Sequence, residues 1–247
     1  MRGGAAVLLI LSGEGGSDLG GSSEFGERVG PMAHVVDQLI EERIGYSPLA
    51  YGMVEWVSRA ELSVGAKNIR SPRIALPGAK RGQGQAGHYK HAQALGILAK
   101  RREGDQRTPT VAVMFRDSDG THASGPRHWQ EMVDAIGSGF AAAEYLSGVT
   151  MVPKPKQESW LLCALKADPY CGCQVIENES GNDNSPQSLK AQLRDACGFD
   201  PSVEDMCEWV LSRRFDVERI DMQSFSHFRD SLAAAVVVAS AAGRTLD

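Results

Sequence analysis

Two stretches of unbroken apolar residues dominate the pattern: residues 5–11 (Ala-Ala-Val-Leu-Leu-Ile-Leu) and residues 110–115 (Thr-Val-Ala-Val-Met-Phe). Apolar character at every position, rather than every second one, is expected of a central parallel strand covered on both faces. A shorter run at 149–152 stops at Pro153, and residues 51–57 read as a further strand. Between these runs the apolar period changes to that of a helix. Pro31 opens a helix over residues 32–43 with Val35, Val36, Leu39 and Ile40 on one side. Further helices are predicted at 89–102 (apolar at Ala94, Leu95 and Leu98), at 129–145 with a break or bend at Gly137 and Gly139, at 157–166, and at 225–242. Residues 13–30 read as a glycine-rich loop, 77–88 as a flexible basic loop and 177–188 as a polar loop. Strands alternating with helices predict an α/β fold with a mainly parallel sheet flanked by helices, followed by a helical C-terminal region.

The 247 residues are 42% hydrophobic and 23% charged, which excludes wholesale disorder. No apolar run approaches the ~18–20 residues that span a bilayer, so no membrane association is expected. The run at 5–11 passes directly into Ser12-Gly13-Glu14 without a small-residue cleavage site, and reads as a strand rather than a leader. The five cysteines are odd in number and suggest no disulfide framework, and Cys171-Gly-Cys173 lacks zinc spacing. They read as thiols in a reducing cytoplasm.

The net charge of −5 is unevenly spread. Residues 65–107 carry ten basic residues against two acids, and the rest of the chain 16 against 29. A basic stretch in an acidic protein points to a polyanionic partner. Lys80, Arg81, Lys90 and the run Lys100-Arg101-Arg102 suit sequence-independent phosphate contact or, alternatively, a solvated helix face. No recognition helix or aromatic series marks base readout. His88 and His91, three apart, read as polar surface or as phosphate contacts.

Candidate chemistry gathers where the strongest strands end, as expected of parallel sheets. The first leads into Glu14, with Asp18 four residues on, and the second into Asp117 and Asp119, which face the same way if the chain stays extended. Carboxylates converging from two strand ends repel unless cations lie between them, and hard oxygen ligands suit Mg²⁺ or Mn²⁺. The alternative is that Asp-Ser-Asp-Gly is an ordinary turn.

The paired motifs, Gly13-Glu14-Gly15 with Asp18 and Asp117-x-Asp119, each behind an apolar strand, resemble the Toprim domain. Residues 153–162 (Pro-Lys-Pro-Lys-Gln-Glu-Ser-Trp-Leu-Leu) resemble a proline–Glu–x–Trp–Leu–Leu segment of small stand-alone OLD-like and RloB-like Toprim nucleases. Residues 219–225, with Phe228, resemble their C-terminal segment. The likeness covers roughly 5–20, 108–165 and 215–232. It implies a Rossmann-like Toprim core over 1–170 with a basic insertion at about 58–107, and a helical region 171–247 packed on it.

The same likeness implies hydrolysis of phosphodiester bonds in DNA or RNA with two Mg²⁺ or Mn²⁺ ions. Asp117 and Asp119 would hold metal, Glu14 would be a ligand or the acid/base, and Asp18 would be a second acid. Glu158 would complete a second metal position, or serve as a helix-start carboxylate. Lys154, or Lys156, would offset charge. By analogy the resemblance also implies an anti-phage effector working with an ATPase partner, as a possible homo-oligomer.

Two rivals remain at this level. Asp117-Ser-Asp119-Gly-Thr121 also matches the first motif of haloacid-dehalogenase phosphatases, with Asp117 as nucleophile, although that motif normally opens its domain. A non-catalytic nucleic-acid-binding partner of an ATPase is the other. No Gly-Lys-Ser/Thr loop occurs, and the chain is too short for the extra domains of topoisomerases or primases.

Overall fold

Every residue of Leu8–Ser12 and of Thr110–Phe115 is buried, and these two segments form the middle of a four-stranded parallel sheet. In the computed structural model, which describes residues 6–14, 17–23, 26–69, 83–119 and 127–243, the strands are β1 (Leu8–Ser12), β4 (Val54–Trp56), β5 (Thr110–Phe115) and β6 (Gly148–Met151), in the order β4-β1-β5-β6. A hairpin, β2 (Gly20–Ser23) and β3 (Gly26–Val29), stands apart as an antiparallel pair.

The continuous apolar runs have a simple geometric reason. Successive side chains point to opposite faces, and both faces are covered. Leu9 and Leu11, Val111, Val113 and Phe115, and Val149 and Met151 face one way. They pack on α1 (Pro31–Ile44), α5 (Gln157–Leu165), α7 (Val203–Leu211) and α8 (Gln223–Gly243). Leu8, Ile10, Ala112 and Met114 face the other way, against α2 (Arg59–Asn68), α3 (Gln83–Gln106) and α4 (His128–Ala142). α6 (Leu189–Cys197) joins the first layer through Leu189 and Leu193. The C-terminal helices thus share one core with β1, β5 and β6. Among the described residues no helix is long and apolar enough to cross a membrane.

Several local expectations are corrected. Part of the segment read as a glycine-rich loop, 13–30, is the β2–β3 hairpin. Gly20, at φ +103°, makes it possible, since a Cβ there would lie 2.0 Å from the Arg28 carbonyl oxygen. The helix expected to begin at Tyr89 begins at Gln83, so the end of the basic loop is helical; residues 70–82, with Lys80 and Arg81, lie outside the described residues. Cys163 and Cys173 form a disulfide that ties α5 to the 3-10 turn Cys173–Asn178. This overturns the reading of all five cysteines as thiols; Cys171, Cys197 and Cys207 are free.

α4 runs unbroken through Gly137 and Gly139. Gly139 is a packing residue: a Cβ there would meet the Tyr89 carbonyl oxygen at 2.3 Å and the Ala92 Cβ at 2.7 Å, whereas Gly137 faces open space. Gly139→Ala is therefore expected to cost about 1–3 kcal/mol by forcing α3 and α4 apart. Gly137→Ala should add up to about 1 kcal/mol of helix propensity. Paired thermal melts check the opposite signs.

Candidate functional site

Strand pairing alone carries the first acids together. Ser12 lies beside Met114 in the β1–β5 register, so the residues just beyond, Glu14 and Arg116 to Asp119, emerge at the same sheet edge. Arg116 is 1% exposed; its Nη1 donates to the carbonyl oxygens of Ser12 (3.2 Å) and Phe115, and its Nε lies 3.5 Å from Glu14 Oε1. One guanidinium thus joins the ends of both central strands and fixes the Glu14 carboxylate. Arg59, at the start of α2, approaches the same oxygen at 4.0 Å.

Asp18 is set by the hairpin. Its carbonyl oxygen accepts from the Met32 amide at the start of α1 (3.0 Å), and the Gly30 amide donates to Leu19 (2.8 Å). Gly30 has no room for a side chain, because a Cβ would lie 2.3 Å from the Asp18 carbonyl oxygen. The Asp18 carboxylate accepts from Gln157 Nε2 at 2.7 Å.

The Asp-Ser-Asp segment is pinned to the stretch between β6 and α5. The Ser118 amide and hydroxyl donate to Pro153 and Pro155 carbonyls (3.3 and 3.1 Å), and the Asp119 amide donates to Pro155 (3.0 Å). Asp117 Oδ1 accepts from the Gln157 amide at the N-terminus of α5 (3.1 Å). The chain does not stay extended: Asp119 adopts φ +47°, a left-handed conformation that aspartate tolerates. Its exposed carboxylate turns to Lys156 Nζ (3.3 Å) while Asp117 stays partly buried.

Glu158, in the first turn of α5, is 7% exposed, and its Oε2 has no hydrogen-bond partner, nor has Gln157 Oε1 beside it. Lys190 of α6 reaches Glu158 Oε1 at 4.0 Å and Asp183 Oδ2 at 3.0 Å, and Lys156 reaches Asp183 Oδ1 at 3.1 Å.

The five sequence-nominated carboxylates therefore occupy one edge and feel one another. Burial pushes Glu14 up from the ordinary carboxylate range, helped by Asp119 and Asp18 and opposed by Arg116 and Arg59. Burial likewise raises Asp18 and Glu158, the latter against the pull of Lys190 and Lys156. Asp117 is lifted well above the ordinary range, by burial and then by Glu158, Asp18 and Asp119.

Donors of this kind, carboxylate and amide oxygens with two buried atoms unpartnered, suit a hard divalent cation. Among the described residues no three His, Cys, Asp or Glu side chains are already drawn in to a ligand set. Lys156 and Lys190 supply the local positive charge instead.

The other nominated residues are placed differently. Lys154 makes no ion pair with the acids; Lys156 does. Lys100, Arg101 and Arg102 lie towards the far end of α3, ~14 Å beyond His91 at the helical rise. Lys100 pairs with Glu144 (3.5 Å) and Arg102 with both oxygens of Glu55 (2.9 and 2.7 Å), while Lys90 and Arg101 are exposed. Arg116, Gln157, Asp183 and Lys190 were not nominated by the sequence. The contiguity of Arg116 with Asp117, and of Gln157 with Glu158, was the available signal for two of them.

A cleft of about 640 Å³ opens on the hairpin side of Glu14, lined by Gly13, Gly21, Trp56, Ser58 and Arg59 among others. No family model, no curated protein and no solved structure matches this chain.

Proposed function

We propose that this protein is a Mg²⁺- or Mn²⁺-dependent nuclease of the Toprim type. The observation that carries the reading is the meeting of Glu14, Asp18, Asp117, Asp119 and Glu158 at one edge of a parallel sheet, with Glu158 Oε2 buried and unpartnered. Asp117, Glu158 and Asp18 would hold divalent metal, with Asp119 at the rim. When bound, such ions polarise a phosphoryl oxygen and lower the pKa of a coordinated water.

The chain's own residues do the rest. Glu14, whose carboxyl is lifted by burial, takes a proton from the attacking water on the oxygen not facing Arg116, and the product alcohol is reprotonated from solvent. Lys156, between Asp119 and Asp183, balances charge at the phosphate and takes the role first given to Lys154. Arg116 keeps Glu14 at the strand ends, and the Gln157 amide keeps Asp117 turned inward.

The substrate is DNA or RNA. An ATPase partner, self-association and a role in anti-phage defence belong to the same reading by analogy. So does a cytoplasmic setting.

Incubation of the full chain with plasmid, linear DNA and structured RNA in Mg²⁺ or Mn²⁺ should give cleavage that EDTA stops. Mobility shift of these nucleic acids with no cleavage in either metal would count against the enzyme and for a binding partner.

A further inference from the structure

Glu14 divides the site into two halves of opposite character. On one side stand the other carboxylates. On the other, Arg59, Arg116, His91 and His128, from α2, the end of β5, α3 and the start of α4, all come within electrostatic reach of His88. His91 Nε2 meets the Ser63 hydroxyl at 3.1 Å, tying α3 to α2, and His128 Nε2 donates to the Ser118 carbonyl at 2.9 Å, tying α4 to the Asp-Ser-Asp segment. Arg116 Nη2 is buried without a partner.

Such grouping is costly. Burial and then Arg116, His91, Arg59 and His128 drive His88 down to about 4, and burial and the two arginines also lower His91. After burial, the influences on His88 all come from basic groups. A fold that needed only helix contacts here could use neutral polar groups. Two guanidiniums against one carboxylate, with three imidazoles grouped beside the guanidiniums, are instead the composition of an oxyanion site.

We propose that Arg59, His88, His91 and His128, backed by the buried Arg116, bind a phosphate group beside Glu14 independently of any metal. The identity of that phosphate as part of a nucleic acid rests on the nuclease reading; the phosphate site itself does not. Arg59 borders both this group and the 640 Å³ cleft. A chain crossing Glu14 would place one phosphate on the basic side and leave its neighbouring residue over the cleft. Arg59 and His88 would supply charged or charge-assisted donors to it, and Arg116, without surface of its own, would act as a positioning residue.

The test is titration of the full chain with inorganic phosphate in EDTA, read by the imidazole NMR signals of its six histidines. His34 on α1 and His227 on α8 serve as internal controls. The expected result is movement of the His88, His91 and His128 signals and not of the controls. Arg59→Ala and His88→Ala should each weaken binding by about tenfold or more, the value of a hydrogen bond to a charged group. Arg59 is exposed, so its variant should fold, and a melt of each variant verifies this.

Competition by a 5′-phosphorylated and a 5′-hydroxyl oligonucleotide of one sequence identifies the source. Displacement by both means an internal phosphodiester, and by the first alone a terminal phosphate. Unmoved imidazole signals or unchanged binding by both variants would overturn the proposal, and displacement by neither oligonucleotide would overturn its nucleic-acid source. Metal-dependent cleavage that survives these variants would then leave the nuclease reading standing alone. Phosphate bound here by a chain that cuts nothing would do the reverse.

Discussion

Asp117→Asn should abolish divalent-dependent cleavage while raising the melting temperature of the metal-free protein. The substitution keeps the shape of the side chain and leaves its Oδ1 to accept from the Gln157 amide. It removes one charge from a partly buried position that also feels Glu158, Asp18 and Asp119. Loss of a metal ligand forfeits several kcal/mol of transition-state stabilisation, on the order of a 10³-fold fall in rate.

The stability effect follows from linkage. Glu14, Asp18, Asp117 and Glu158 all have folded-state pKa values above their unfolded ones. The folded chain therefore holds protons that the unfolded chain has released, over a window beginning near about pH 4. Their contribution is fully present below that window and is lost as pH rises through the lifted values. Metal-free protein should thus melt at lower temperature at pH 7.5 than at pH 5, with a smaller fall in Asp117→Asn. Mg²⁺ at a hundredfold excess over its Kd at pH 7.5 should return about 2.7 kcal/mol, and the same concentration less at pH 5. A variant that melts lower than the parent in EDTA at pH 7.5 would show that the Asp117 charge is not a burden there.

Trp160→Ala should produce the largest loss of stability. Trp160 is fully buried and stacks on Phe228 (centroids 5.8 Å apart), with Phe225 edge-on at 5.0 Å and its indole donating to the Ser224 hydroxyl at 2.9 Å. The start of α8 is itself held by Glu177, which accepts from the Gln223 and Ser224 amides. Removing the indole leaves a cavity, an orphaned Ser224 hydroxyl and an unsupported α5. The cost is about 3–5 kcal/mol, roughly 6–20 °C in melting temperature for a chain of this length. Because α5 carries Gln157 and Glu158 in its first turn, cleavage should fall even where the variant is folded. Trp160→Phe should recover most of the stability. A fall of less than about 3 °C in Trp160→Ala would place the anchoring of α5 elsewhere.

The parts of this molecule that a linear reading could reach are those dictated by local pattern. Unbroken apolar runs identify β1 and β5 because burial on both faces demands them, and Pro31 marks the start of α1 for the same local reason. The acids that follow each strand could be assigned to one sheet edge because parallel strands share an end. What escaped is what depends on approach between distant segments. Gly139 looks like a helix breaker until α3 is seen against it. The hairpin at 20–29 is hidden because its register depends on Gly20 fitting against Arg28. Lys156 rather than Lys154 meets Asp119 because of how Pro153–Lys156 is laced to Ser118, and spacing alone does not set that. The Cys163–Cys173 bridge was missed because an odd cysteine count says nothing about which pair faces across a turn. The basic run at 100–102 drew attention by composition, yet Glu144 and Glu55 partner two of its three members at the opposite end of α3.

The central claim is that carboxylates from separate strands and a helix share divalent ions. It is tested most directly by anomalous scattering from crystals of the full chain soaked in Mn²⁺. The expected result is anomalous density among Asp117, Asp18 and Glu158, with Glu14 or Asp119 within coordinating reach, that disappears in Asp117→Asn crystals. Density only elsewhere on the surface, or none at these side chains at saturating Mn²⁺, would contradict it.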